Sequence, residues 1–186
     1  MRRTLLVLAL VAASIARADP PAALAMEPAQ AAFADIAAVL QSPRCVNCHP
    51  SGDAPLQGDH QRVHAMGITR DIEGVGMSCQ ACHRERSVGP RDAPGMPPAA
   101  PHWSLPLKEM PLVFQGRTPA ALCAQLKDPA HNGGRSLAQL LSHVTKDALV
   151  LYGFDPGGQR TVPPLTHERF VARVQEWIDA GAHCPQ

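Results

Sequence analysis

Cys45-Val46-Asn47-Cys48-His49 and Cys79-Gln80-Ala81-Cys82-His83 are two complete C-x-x-C-H units in a chain of 186 residues. The chemistry this spacing suits is covalent attachment of c-type haem. Two thiols one helical turn apart can form thioethers with the haem vinyl groups, and the adjoining histidine lies under the ring as the proximal iron ligand. The competing chemistry is a four-thiolate zinc site, since the two C-x-x-C pairs stand thirty residues apart. Zinc leaves His49 and His83 unexplained and sits poorly in an exported chain. The expectation is therefore two covalently bound haem c groups, held by Cys45, Cys48, Cys79 and Cys82, with His49 and His83 as proximal ligands.

What each iron does depends on its far side. An iron with two protein ligands changes redox state with little rearrangement, which suits electron transfer; an open position allows ligand binding or catalysis. Seven further histidines are present. His64 is the first distal candidate, because it lies between the motifs where the chain must pass close to both rings. His143 is the second: it falls at the border of an apolar helical stripe and can point sideways. A surface histidine is the plain alternative for either. Met110, beside Pro111, is the sulfur alternative, and His60 and Met66 share the loop of His64. Met77 is sterically awkward for its own motif; Met96 adds a further sulfur. His102, His131, His167 and His183 read as surface or capping residues. No distal residue is assigned to a particular haem.

The elements that must position these residues read as helices. The spacing predicts a helix over Pro28–Leu40, with Phe33, Ile36, Ala37 and Leu40 on one face, leading into the first motif. Residues 52–58 read as a turn-rich loop. Thr118 caps a helix with Pro119 at its first position, running to about Lys127. Ser136 caps the next, with Leu137, Leu140, Leu141, Val144 and Ala148 as its buried stripe. Residues 153–164 read as a loop, and Thr166 caps a last helix carrying Phe170, Val171, Val174, Trp177 and Ile178 to near Gly181. Between Arg84 and Gly116 stand seven prolines, too many for regular structure. This stretch is expected to wrap across a haem face or between haems, with a disordered linker as the alternative; against disorder stand Trp103, Leu105, Leu107, Met110, Val113 and Phe114, which need burial. The fold class is all-α, with short helices and long Pro/Gly-rich loops wrapped around two covalent haems.

Composition agrees. Aromatics make up 4% of the chain, and there are 19 prolines and 14 glycines. That is little material for a self-sufficient core, and two porphyrins would supply the missing apolar bulk, so the haem-free chain is expected to fold poorly. Arg2, Arg3, the apolar run from Leu5 to Ile15 and Ala16-Arg17-Ala18 read as a signal peptide over residues 1–18. Residues 19–186 are then one domain, exported by the general secretory route to the periplasm. Without Arg2, Arg3 and Arg17 the formal charge falls from +1 to −2. No basic patch suggests nucleic acid, and no later apolar run suggests a transmembrane segment. Cys123 and Cys184 remain; in an oxidising compartment they are expected to form a disulfide, with two free buried thiols as the alternative.

Phe33-Ala-Asp-Ile36, Ser42-Pro-Arg-Cys-Val-Asn-Cys-His-Pro50, Pro55-Leu-Gln-Gly-Asp59, Asp128-Pro-Ala-His-Asn-Gly-Gly-Arg-Ser-Leu137 and Trp177-Ile-Asp-Ala-Gly-Ala-His-Cys-Pro185 resemble bacterial dihaem cytochromes c labelled isoquinoline 1-oxidoreductase subunits. The resemblance implies an electron-accepting partner of a periplasmic molybdenum hydroxylase. A local likeness, from the first motif through His64-Ala-Met66 and Arg70-Asp71 to the second, is to the small dihaem subunit of periplasmic nitrate reductases, in which both haems are bis-His. The Pro-rich stretch and the C-terminal helices depart from that subunit.

The expected function is single-electron transfer to or from redox protein partners, a dehydrogenase or another cytochrome, with no bond chemistry of the chain's own. The alternative is a haem enzyme of peroxidase type, or a gas sensor, with one open haem. Arg70, Asp71 and Glu73 lie near the second motif but read as readily as a solvated charge cluster as a distal acid–base set.

Overall fold

The computed structural model describes residues 27–87 and 96–186. The signal peptide read over residues 1–18 lies outside the described residues, as do Pro90 and Pro94 of the proline-rich stretch. The described chain is mostly helical, with a single two-stranded hairpin, in line with an all-α class.

The first helix, α1 (Pro28–Leu40), starts on the proline that the sequence places at its first turn. Phe33, Ile36, Ala37 and Leu40 are buried as the spacing predicts; Ala29, Ala32 and Val39 are buried too, so α1 is enclosed on more than one face. It packs mainly against the last helix, which runs from His167 to Asp179. Phe33 and Trp177 meet there with ring centroids 5.1 Å apart, both essentially removed from solvent. Burial of two such side chains is worth roughly 1.5–3 kcal/mol each. Arg173 closes the outer edge of this seam on Asp35 at 2.7 Å.

A one-turn helix, α2 (Pro43–Val46), follows α1 and was not foreseen. Its signals are short: Ser42 in extended conformation at the cap position and Pro43 at the first turn. The chain then forms the hairpin β1 (Leu56–Gln57) and β2 (Arg62–Val63), pairing Leu56 with Val63. Two-residue strands carry no alternation that a sequence could reveal.

Helix α3 (Pro119–Lys127) begins on Thr118, whose Oγ1 accepts the Ala121 amide, as expected. Cys123 on α3 is bonded to Cys184 in a disulfide with the Cα atoms 5.6 Å apart, tying the C-terminal tail to mid-chain. Helix α4 (Leu137–Lys146) opens with a reciprocal capping box between Ser136 and Gln139. The expected continuation through Ala148 is corrected. Asp147 is extended, with ψ 131°, and its Oδ1 accepts the amides of Leu149 and Val150, ending one helix and capping another. That second helix, α5 (Ala148–Phe154), extends past Gly153, where the sequence suggested loop. The last helix, α6 (His167–Asp179), is capped by Thr166. Among the described residues no helix is long and apolar enough to cross a membrane.

Candidate functional site

Each C-x-x-C-H unit closes into one helical turn. In the first, built on α2, the His49 amide donates to the Cys45 carbonyl at 3.1 Å. In the second, a 3-10 turn over Cys79–Ala81, the His83 amide donates to the Cys79 carbonyl at 2.9 Å. Ser78 starts this turn by accepting the Gln80 amide. The two thiols of each unit therefore lie one turn apart beside their histidine.

The proline-rich stretch supplies the partners of both histidines. His49 Nδ1 lies 2.8 Å from the Leu112 carbonyl, and its ring stacks on Phe114 at 4.1 Å. His83 Nδ1 lies 2.9 Å from the Pro98 carbonyl, and its ring stacks on Trp103 at 4.2 Å, within 6° of parallel. A carbonyl can only accept, so each Nδ1 is the protonated nitrogen and each Nε2 is left with a free lone pair. This is the outer-shell arrangement that orients metal-binding imidazoles. Burial lowers the pKa of His49 to about 4, opposed by the Leu112 carbonyl and reinforced by the charges of Arg70 and His143. His83 is also lowered, first by burial, with the Pro98 carbonyl opposing and His64 adding to the shift. Both rings are neutral near pH 7, the form that binds a metal. Burial raises the thiols of Cys45 and Cys48 to about 11.

His64 is brought to His83. Their ring centroids are 5.9 Å apart with planes at 60°. With metal–imidazole bonds of about 2 Å and a ring centroid roughly 1 Å beyond each nitrogen, two imidazoles on opposite sides of one metal have centroids roughly 6 Å apart. His64 Nδ1 is held 2.7 Å from the Ala65 carbonyl, so its Nε2 is free as well. The residues present fit an iron held between His83 and His64.

His143, on α4, is partly buried and lies close enough to His49 for its charge to act there. Its Nδ1 lies 3.4 Å from Asp147 Oδ2, and this contact is the main reason that Asp147 is lowered to about 2. Asp147 thus stands to His143 as the backbone carbonyls stand to the other three rings. Met110 is placed differently: its sulfur accepts the Gly133 amide at 2.9 Å. Met66 is exposed, at 81% of its surface, and with His60, Met77 and Met96 borders the cavity described below. His102 is exposed, His131 pairs with Asp128, His167 lies 2.8 Å from the Val144 carbonyl, and His183 is exposed. Leu107, expected to seek burial, is exposed at 72%, whereas Phe114 is buried and Trp103 partly so.

The two motifs share one cavity of about 720 Å³, bordered by Cys48 of the first, by Cys79, Cys82 and His83 of the second, and by His64. Its apolar wall includes Leu56, Ile68, Ile72, Trp103 and Leu105; Arg44, Asp59, Tyr152 and Arg160 form a polar end. Tyr152 sets its ring edge on Trp103 at 4.9 Å. Arg70 braces the stretch between the motifs by donating to the carbonyls of Pro50 and Pro106, both at 3.2 Å. Sequence reasoning missed these supports, because a backbone carbonyl carries no residue-type signal. The proline density was the available clue: prolines keep the chain out of regular structure and leave carbonyls free for side-chain donors.

Compared with known proteins, the chain matches no protein family, no curated protein and no solved structure.

Proposed function

We propose that the chain is a dihaem c-type cytochrome that carries single electrons between protein partners and performs no bond chemistry of its own. The observation that carries this reading is the closeness of the His64 and His83 rings, with centroids 5.9 Å apart, beside a C-x-x-C pair. Haem, when bound, supplies a one-electron Fe(III)/Fe(II) couple. The chain's part is to hold each iron in a fixed environment and to keep other ligands away.

His83 and His64 would hold the second haem's iron, through nitrogens left free by the Pro98 and Ala65 carbonyls. His49 would hold the first, with His143 as its distal partner. Because Cys48 borders the same cavity as Cys79 and Cys82, the two porphyrins would lie close, giving an electron a short route between them. The chain is proposed to act in the periplasm, paired with a dehydrogenase, a molybdenum hydroxylase by the resemblance given above, or with another cytochrome. A peroxidase-like or sensing role has less support, since the His64 ring stands 5.9 Å from that of His83. Zinc also has less support, since a four-thiolate site would leave His49 and His83, each with its Nδ1 on a backbone carbonyl, without a role.

The test is the intact mass of the exported protein from cells able to mature c-type cytochromes. Two covalent haems are expected, falling to one when Cys79 and Cys82 are both replaced by Ser. A chain carrying zinc, or no added mass, contradicts the proposal.

A further inference from the structure

The polar end of the cavity is built around a buried arginine. Arg44, from α2, has a side chain only 4% exposed; one terminal nitrogen meets Asp59 Oδ1 at 2.6 Å, while its Nε has no hydrogen-bond partner. Asp59 also accepts the Thr161 amide at 3.2 Å, which brings Arg160 to the same end. Arg160 is braced through one terminal nitrogen on the carbonyls of Pro156 and Gly157, both at 3.2 Å, and through the other on the Met96 carbonyl at 3.3 Å, which leaves its Nε edge for a carboxylate. A buried guanidinium with an unmet donor is costly unless a further acceptor completes it.

The charges do not balance. Among the described residues bordering the cavity, the guanidiniums of Arg44, Arg62 and Arg160 face the single carboxylate of Asp59, an excess of two positive charges. The same cavity is lined by apolar side chains and by Cys79 and Cys82. A ligand suited to this space has a flat apolar body, attaches at the cysteines, and ends in two carboxylates. We infer that Arg44 and Arg160 form the seat for the propionates of the haem attached at the second motif. Guanidinium matches a carboxylate with two parallel hydrogen bonds, which fixes orientation as well as charge. This inference rests on the proposed haem attachment and makes both arginines positioning residues for it.

Positive charge beside an iron disfavours its oxidised state, so removing that charge must lower the reduction potential. The experiment is a potentiometric titration of the haem-loaded protein in which the two haems are resolved, on Arg160→Gln, Arg160→Lys, Arg44→Gln and Arg44→Lys. The glutamine variants are expected to lower the potential of one haem and leave the other in place. The lysine variants, which keep the charge, should restore most of it. Arg160 is partly exposed, so its variants remain informative if loss of Arg44 impairs folding. Two attached haems whose potentials do not move in Arg160→Gln, or move equally, would overturn the propionate seat alone. A protein with no haem at Cys79 and Cys82 would overturn both this inference and the proposed function.

Discussion

His64 and His83 stand with ring centroids 5.9 Å apart, each with its Nδ1 held to a backbone carbonyl, so the two free nitrogens are the Nε2 atoms. Eighteen residues of loop and 3-10 turn lie between them in sequence, and the chain folds back through the turns over Ala65–Gly67 and Ile72–Val75 to bring them together. If this pair holds one iron, His64→Ala should leave one of two haems high-spin and able to bind carbon monoxide when reduced. His64→Met should instead keep the iron low-spin and raise its potential, as sulfur ligation does. Absorption spectra with and without carbon monoxide separate the cases.

The first motif makes the parallel prediction for His143. His143→Ala should open the other haem, and only that one. Combined with His64→Ala, carbon monoxide uptake should double to two per chain. If His143→Ala changes neither spectrum while Met110→Leu does, the distal ligand of the first haem is Met110, and its contact with Gly133 gives way when haem is bound.

Asp147 has two tasks, capping α5 and holding His143. Asp147→Ala should cost about 1 kcal/mol through the lost cap, read by chemical denaturation. It should also broaden the signal of the first haem by loosening the His143 ring. Asp147→Asn keeps an oxygen acceptor for both tasks and should lie between Ala and the parent on each measure.

The Cys123–Cys184 bridge joins residues 61 apart in sequence. Cys123→Ser with Cys184→Ser should lower stability by about 2–4 kcal/mol, a fall in Tm of roughly 4–16 °C. The haem spectra should not change, since the bridge sits against the α1–α6 core and not on the shared cavity.

How much of this was legible in the sequence follows from where each signal resides. Helices α1, α3 and α6 were readable because a proline or threonine marks each start and apolar residues recur at helical spacing. The break at Asp147 was not, because one aspartate both ends α4 and caps α5 while the apolar stripe runs through. The motif histidines and His64 were legible as residue types; their pairing was not, since it depends on a loop path set by tertiary contacts such as Arg70 on Pro50 and Pro106. The stacks of Phe114 on His49 and Trp103 on His83 appeared in sequence only as apolar residues seeking burial. The match of Arg44 to Asp59 is a local contact across fifteen residues, and nothing in spacing announced it.

The proposed electron carrier requires both irons to be closed by protein ligands. The measurement that tests it most directly is the visible and low-temperature EPR spectrum of the haem-loaded protein, before and after carbon monoxide is added to the reduced form. Two low-spin haems and no change on adding carbon monoxide are expected. A high-spin signal with carbon monoxide bound at one reduced haem would contradict it and would bring forward an enzyme or gas sensor.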